Sequence, residues 1–292
     1  MAVHMNPKTL LLALVPPFCW GTGLAMAKPA VTHFPPLFMM LLVYTAIAAV
    51  MLITVRDRIK TPWRALLLIS AFSVTIQGAF VFSGLRGLEA TTANLVLQTQ
   101  VPMAVFLGWL IAGEELNLRK ILGTAIALIG VGIVIGLPEQ RPALLPVMLI
   151  ILGGFFWAFG QTLARKLSQD SGVMLLKANA LMSVPQLILA TAIFEEGQWH
   201  SITSAGPVEW ATLAFVGFVG FYLSYMAWFS LLRRCRMDEA APFVLLMTPI
   251  GLLTAVVALG ERMSGAQLLG TAVLLLGLAI VNGFLMPKQK LA

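Results

Sequence analysis

The sequence predicts an all-α membrane protein of ten transmembrane helices, built as two five-helix inverted-topology repeats. Composition, the lengths of the apolar runs and an internal repeat carry that prediction. Of 292 residues, 59 % are hydrophobic and 11 % charged, and the mean hydropathy is +0.92. Soluble domains sit near ~45–50 % apolar and ~25 % charged. A core cannot hide this much apolar surface and so few charges cannot coat the outside, so lipid is the solvent for most of the chain. The same numbers exclude disordered, collagen-like and disulfide-scaffold proteins. Cys19 and Cys235 could form at most one bridge. Both lie in or beside apolar runs and read as free thiols. The net charge of +7 comes from 19 basic residues strung between apolar runs, which points to membrane orientation and away from nucleic acid.

A spanning helix needs about 20 mostly apolar residues. The first run, 8–27, holds Trp20 and has no A-x-A-like site after it, so it reads as a retained helix and not a cleaved signal. Ahead of it, Met1-Ala2-Val3-His4 resembles a cloning junction, with Met5 as the natural start. The runs 36–55 and 64–85 follow, the latter carrying Gln77, and then 91–112 with Asn94, Gln98 and Pro102. Gly123 and Gly130 mark 120–136, Trp157 and Gln161 mark 144–164, and Lys177 sits one turn into 174–194, where it reads as snorkelling to the cytoplasmic face. Tyr222, Tyr225 and Trp228 crowd 208–232, Pro249 interrupts 240–259, and Gly270 and Gly277 mark 265–286. Alternating ten-residue strands are absent, which excludes a β-barrel. The longest loop, Glu195 to Pro207, is too short for an inserted soluble domain.

With the N-terminus inside, 14 Lys and Arg residues fall in cytoplasmic loops and tails and 4 on the opposite side, Lys28, Arg86, Arg141 and Arg262. The asymmetry predicts both termini in the cytoplasm.

Shifted by 147 residues, Leu122-Gly123-Thr124-Ala125 falls on Leu269-Gly270-Thr271-Ala272, Gly113-Glu114 on Gly260-Glu261, and Pro102 on Pro249. Nearer the start a shift of 137 superposes Phe18-Cys19-Trp20 on Phe155-Phe156-Trp157. The difference is an insertion placed in the 195–206 loop. The repeat divides the chain into 1–140 and 141–292, with five spans each. Five is odd, so the second half enters the membrane upside down, an architecture common among secondary transporters.

These residues also carry a resemblance. Ala93 through Pro102, Gly113-Glu114, Gly123-Thr124-Ala125 and Gly130, with their second copies from Ala240 to Gly277, make the chain resemble the drug/metabolite transporter superfamily of EamA type. Around Pro17–Gly21 and Gly153–Ala158 it is most similar to the bacterial aromatic amino-acid exporters. The resemblance implies a ten-helix exporter in the bacterial inner membrane, with a central cavity between the halves. Multidrug or nucleotide-type exporters share the fold, and a non-transporting scaffold or channel is the rival from another class.

The candidate chemistry is neutral and aromatic. All twelve acids lie in loops or terminal turns, the three histidines lie outside the runs, and no cluster has metal-ligand spacing. Nucleotide-binding Gly-rich loops and a nucleophile–base pair are absent, so no enzyme, no metal and no cofactor is expected. The expected substrate-binding residues are Trp20, Gln77, Asn94, Gln98, Trp157, Gln161 and Tyr225. Each lies on a run at helical spacing with other polar or aromatic groups. Pro102 and Pro249 are expected hinges, since each removes a backbone donor mid-span. The paired glycines read as close helix contacts, within a pair or between protomers, and Glu114 and Glu261 as caps and loop anchors, with gating as the sharper alternative. The expected partners are a small-molecule substrate and the lipid bilayer.

Overall fold

The computed structural model describes residues 6–136, 142–234, 240 and 243–283. Cys235 and the charges at Glu139, Arg141, Arg236, Asp238, Glu239, Lys288 and Lys290 lie outside the described residues, as does the Met1–His4 segment. The described chain is all helical: α1 Pro7–His33, α2 Pro36–Thr54, α3 Trp63–Arg86, α4a Ala90–Leu97, α4b Gln100–Ala112 and α5 Leu118–Gly136. There follow α6 Leu144–Leu167, α7 Gly172–Phe194, the short α8 Gln198–Ser204, α9 Pro207–Leu232, α10 Met247–Leu259 and α11 Gly265–Val281. Eight stretches are long and apolar enough to cross a bilayer, counting α4a and α4b as one; α10 and α11 are shorter apolar helices.

Local chemistry sets the ends. Asn6 accepts from Lys8 N–H at 3.1 Å, Ser171 from Met174 N–H at 3.4 Å, and Ser264 and Gln267 close a reciprocal capping box. Gly113 and Gly260 end α4b and α10 at φ +69° and +71°. The next amide, of Glu114 or Glu261, reaches back to Gly108 O at 3.1 Å or Ala255 O at 3.3 Å. This six-residue closure needs the left-handed conformation that glycine adopts freely.

Two helices widen mid-span. Residues Ala71–Ile76 of α3 and Val216–Leu223 of α9 form π-helical turns. Gln186 of α7 hydrogen-bonds side chains and a carbonyl in and beside the widened turn of α3. Its Nε2 donates to Leu67 O at 3.2 Å and Ser70 Oγ at 2.8 Å, and its Oε1 accepts from Thr75 Oγ1 at 2.8 Å.

The fourth run breaks where proline demands it. Pro102 has no N–H for the Gln98 carbonyl, and the chain tightens one turn upstream. Gln98 N bonds to Leu95 O, Thr99 N to Val96 O and Val101 N to Gln98 O at 3.0–3.2 Å. Asn94 therefore lies on α4a, Pro102 on α4b, and Gln98 in the break between them. Leu246 N to Phe243 O, at 3.0 Å, makes the same tight turn ahead of Pro249.

Two lysines depart from expectation. α1 runs on to His33, so Lys28 lies within a helix and not in a loop. Its Nζ donates to Leu85 O and Arg86 O at 3.0 Å, closing the C-terminal end of α3. Lys177 is 8 % exposed and does not snorkel to water. Its Nζ donates to Val55 O at 2.6 Å and Asp57 O at 3.3 Å, just past the end of α2.

Packing is set by small residues. α1 lies on α9 and α10, α6 on α3 and α4b, α2 on α7, and α5 along α11. In the α5–α11 pair a Cβ on Gly130 would meet Leu274 N at 2.5 Å, and one on Gly123 would meet Val281 N at 2.7 Å. The glycine pairs are thus an intrachain contact. Gly23 meets Gly220 where α1 crosses α9, and Gly160 meets Ser73 where α6 crosses α3. The largest buried apolar cluster gathers Phe34, Met39, Met40 and Leu85 with Ile150 and Leu187, so α1, α2, α3, α6 and α7 share it.

Gly277→Leu is expected to force α5 and α11 apart at a cost of roughly 1–3 kcal/mol. A detergent-solubilised thermal unfolding scan should show a fall in Tm of several degrees, while Gly132→Ala, where nothing lies within 4 Å of the new methyl, should match the parent. A second prediction concerns Asp170 in the loop before α7. Burial opposes its ionisation, but the Thr61 hydroxyl, the N–H groups of Lys60 and Thr61 and the Lys60 charge outweigh it and hold the carboxyl below the usual 3.8. With the folded value depressed, this contribution is complete above the unfolded value and is lost as pH falls through the folded one, below about pH 4. Asp170→Asn should flatten that part of the acid-unfolding curve.

Candidate functional site

Three of the expected residues converge. Trp20 of α1 packs edge-on against Tyr225 of α9, ring centroids 5.6 Å apart, and lies 5.7 Å from Trp228. The Trp157 side chain of α6 lies beside the Tyr225 hydroxyl. Tyr225 stacks on Phe229 at 6.0 Å, and Tyr44 of α2 packs edge-on against Phe221 at 5.6 Å. Rings from α1, α2, α6 and α9 thus gather where α1 crosses the widened helix. Trp20 and Trp157 are half-buried and Tyr44 is buried. Tyr44 could not be singled out in the sequence, because its run is apolar almost throughout and offers no contrast.

The amides divide. Asn94, 1 % exposed, has no hydrogen-bond partner at either Oδ1 or Nδ2. It lies against Gly251 of α10, where any Cβ would collide with its Nδ2, and Gly21 of α1 touches the same stretch through Met247 O and Gly251 N. An unpaired buried amide costs about 1–3 kcal/mol per lost bond, so its place is functional or strained. Gln98, expected beside it, instead donates from Nε2 to Thr248 Oγ1 at 2.8 Å and ties the breaks of the fourth and ninth runs together. Gln77 and Gln161 are half-buried, and Pro102 is buried. Pro102 and Pro249 each lie inside the helix that follows a break.

Carboxylates at the ends act on backbone. Glu261 receives Ala90 N–H at 2.6 Å and Thr91 N–H at 2.8 Å, so the end of α10 caps the start of α4a. Glu114 pairs with Arg165 at 2.6 Å and with Lys120 at 3.5 Å, joining the ends of α4b and α6. The capping expected of Glu261 is thus what it does; Glu114 forms an ion-paired loop anchor.

Two recesses lie among the described residues, and none of the seven expected site residues lines either. One, of about 430 Å³, lies between the α1–α2 turn and α8 and includes His33, Arg86, Glu195 and Glu196. The other, of about 620 Å³, runs along α3 between α6 and α7. Among the described residues no group of three His, Cys, Asp or Glu side chains could hold a metal.

Apolar spans, a fourth run broken ahead of a proline and a cluster of aromatic rings between helices are the features of a membrane transporter. A sequence profile of the EamA-like transporter family matches residues 7–136 and again 144–283, and the chain belongs to that family. It is 33 % identical over 294 residues to a probable amino-acid metabolite efflux pump of Salmonella typhimurium, covering 96 % of this chain and 97 % of that one. A protein of the same description from Escherichia coli is 31 % identical over 288 residues, covering 94 % and 95 %. A solved crystal structure shares the fold at a TM-score of 0.69 and 18 % identity, over 95 % of this chain and 99 % of the other.

Proposed function

We propose that this chain is a secondary transporter of the bacterial inner membrane that exports small amphipathic metabolites, amino acids with aromatic or other apolar side chains foremost. Ten spans, both termini cytoplasmic, form two inverted halves, 1–140 and 141–292. The aromatic cluster carries the reading. It draws Trp20 from the first half and Trp157 and Tyr225 from the second, so a substrate held there touches both halves at once. Flat rings with polar edges suit an apolar side chain joined to a charged backbone. In this reading the substrate's polar groups are met by amides from Gln77, Asn94 and Gln161, with Gln98 released from Thr248 on binding; the Asn94 amide has no hydrogen-bond partner at either atom.

Helix pairing supports the inversion. Exchanging each helix for its counterpart turns α1–α9 into α6–α3 and α1–α10 into α6–α4b, while α2–α7 and α5–α11 map onto themselves. The tight turns at 98–99 and 245–246, and the left-handed Gly113 and Gly260, recur 147 residues apart. A two-fold axis in the membrane plane requires such a pattern. Rocking of one half on the other would bend at the breaks ahead of Pro102 and Pro249, exposing the cluster to either side in turn.

Every described Asp and Glu lies in a loop or at a helix end, so no mid-span acid is present among these residues to load a proton. Transport is therefore read as exchange or equilibration down the substrate's own gradient.

Two measurements test this. In proteoliposomes given a panel of labelled amino acids and nucleosides, saturable uptake should favour aromatic and large aliphatic amino acids. Trp20→Ala and Tyr225→Ala should each lower that uptake roughly 5–30-fold, the equivalent of 1–2 kcal/mol, with unchanged folded yield. Parental rates in both variants, or a preference for nucleosides, would reject the assignment. At a fixed substrate gradient, imposing a pH gradient should leave the uptake plateau unchanged. Accumulation that collapses with a protonophore would show proton coupling instead.

A further inference from the structure

The two recesses meet, and the transport reading uses neither. They share Pro36, Arg86, Phe194 and Glu195, so a polar chamber opens directly onto an apolar groove. The groove has Ala79 and Phe80 of α3 as its floor, with Leu149 of α6 on one side and Ala190 and Phe194 of α7 on the other. It reaches from Arg86 back to Thr75, about 16 Å of helix at 1.5 Å per residue. Half of the ~30 Å hydrocarbon layer is about 15 Å. The groove is thus as deep as one leaflet, and its polar chamber sits at the end where a headgroup belongs. Trp199 of α8, 75 % exposed, flanks that end, as tryptophan does at a membrane–water boundary.

The chamber's charges select the head. Arg86 is exposed and has no carboxylate partner among the described residues. The oxygens of Glu195 are taken by Leu37 N–H, Phe38 N–H and Thr191 Oγ1 at 2.7–2.9 Å. His33 is held by its Nε2 to Ser201 O at 2.8 Å. One cation and the exposed carboxylate of Glu196 remain to face a ligand. We infer that this composite recess is a seat for one zwitterionic, amine-bearing phospholipid, with its phosphate on Arg86, its ammonium toward Glu196 and one acyl chain along α3. A guanidinium binds phosphate oxygens through paired N–H donors, which a neutral side chain cannot reproduce.

The inference is independent of the transported substrate. Native mass spectrometry of the full chain in detergent, titrated with phosphatidylethanolamine, phosphatidylglycerol or diacylglycerol, tests it. One phosphatidylethanolamine should be retained per chain in preference to the other two. Arg86→Gln should lower its retention about tenfold, and Ala190→Phe, which fills the groove and leaves the arginine in place, should do so as well. Both variants should unfold like the parent in lipid-free detergent, which separates loss of the seat from loss of the fold. Undiminished retention in both variants would overturn the inference. So would equal retention of diacylglycerol, which marks an apolar surface only, or a preference for phosphatidylglycerol. Displacement of the lipid by a transported amino acid would place the recess on the substrate path and overturn it too.

Discussion

In hydrocarbon a backbone N–H or C=O without a partner has no water to turn to, at a cost of several kcal/mol. Much of this protein's polar chemistry answers that constraint. Lys28 closes the carbonyl end of α3 and Lys177 binds carbonyls beyond the end of α2. Glu195 and Glu261 close the amide ends of α2 and α4a. Four charged side chains in a chain with few charges thus serve helix termini, matching sign to the helix dipole in every case.

Where the constraint is not met, function has the first claim. Asn94 is the residue whose amide is buried at both ends without a bond, at the point where α1, α4a and α10 come together. Around it the local rules bend: a run that breaks one turn on, and glycines pressed against backbone at Gly21 and Gly251. Gln98 one turn away shows the contrast, since its bond to Thr248 leaves it a structural tie in this arrangement.

Much of the fold was legible in the sequence because lipid imposes a strict rule on run length. The expected runs and the observed helices agree to a few residues in most places; Trp20 and Trp157 were marked by being aromatic and repeat-related, and Tyr225 by the crowding of Tyr222, Tyr225 and Trp228 on one run. Other features left no trace. The extension of α1 to His33 passes through Lys28 and Pro29, residues that read as a loop until the α3 carbonyls are in place to receive the amine. The π turns lie where α3 meets α6 and where α9 meets α1, and apolar sequence on either side gives no sign of them. Gln98 and Asn94 look alike one turn apart, and only the Thr248 hydroxyl across the interface separates them. Tyr44 joins the aromatic cluster through its partners alone.

The interlocked glycines of α5 and α11 have a mechanical corollary. Backbone presses on backbone at Gly123, Gly130, Gly270 and Gly277, with no long side chains between to slide or re-rotamerise. Such a contact resists separation and tolerates rotation about its own line. The α5–α11 pair is suited to act as an axle. Rotation about it would leave the glycine seam nearly still and move other groups further the greater their distance from that line.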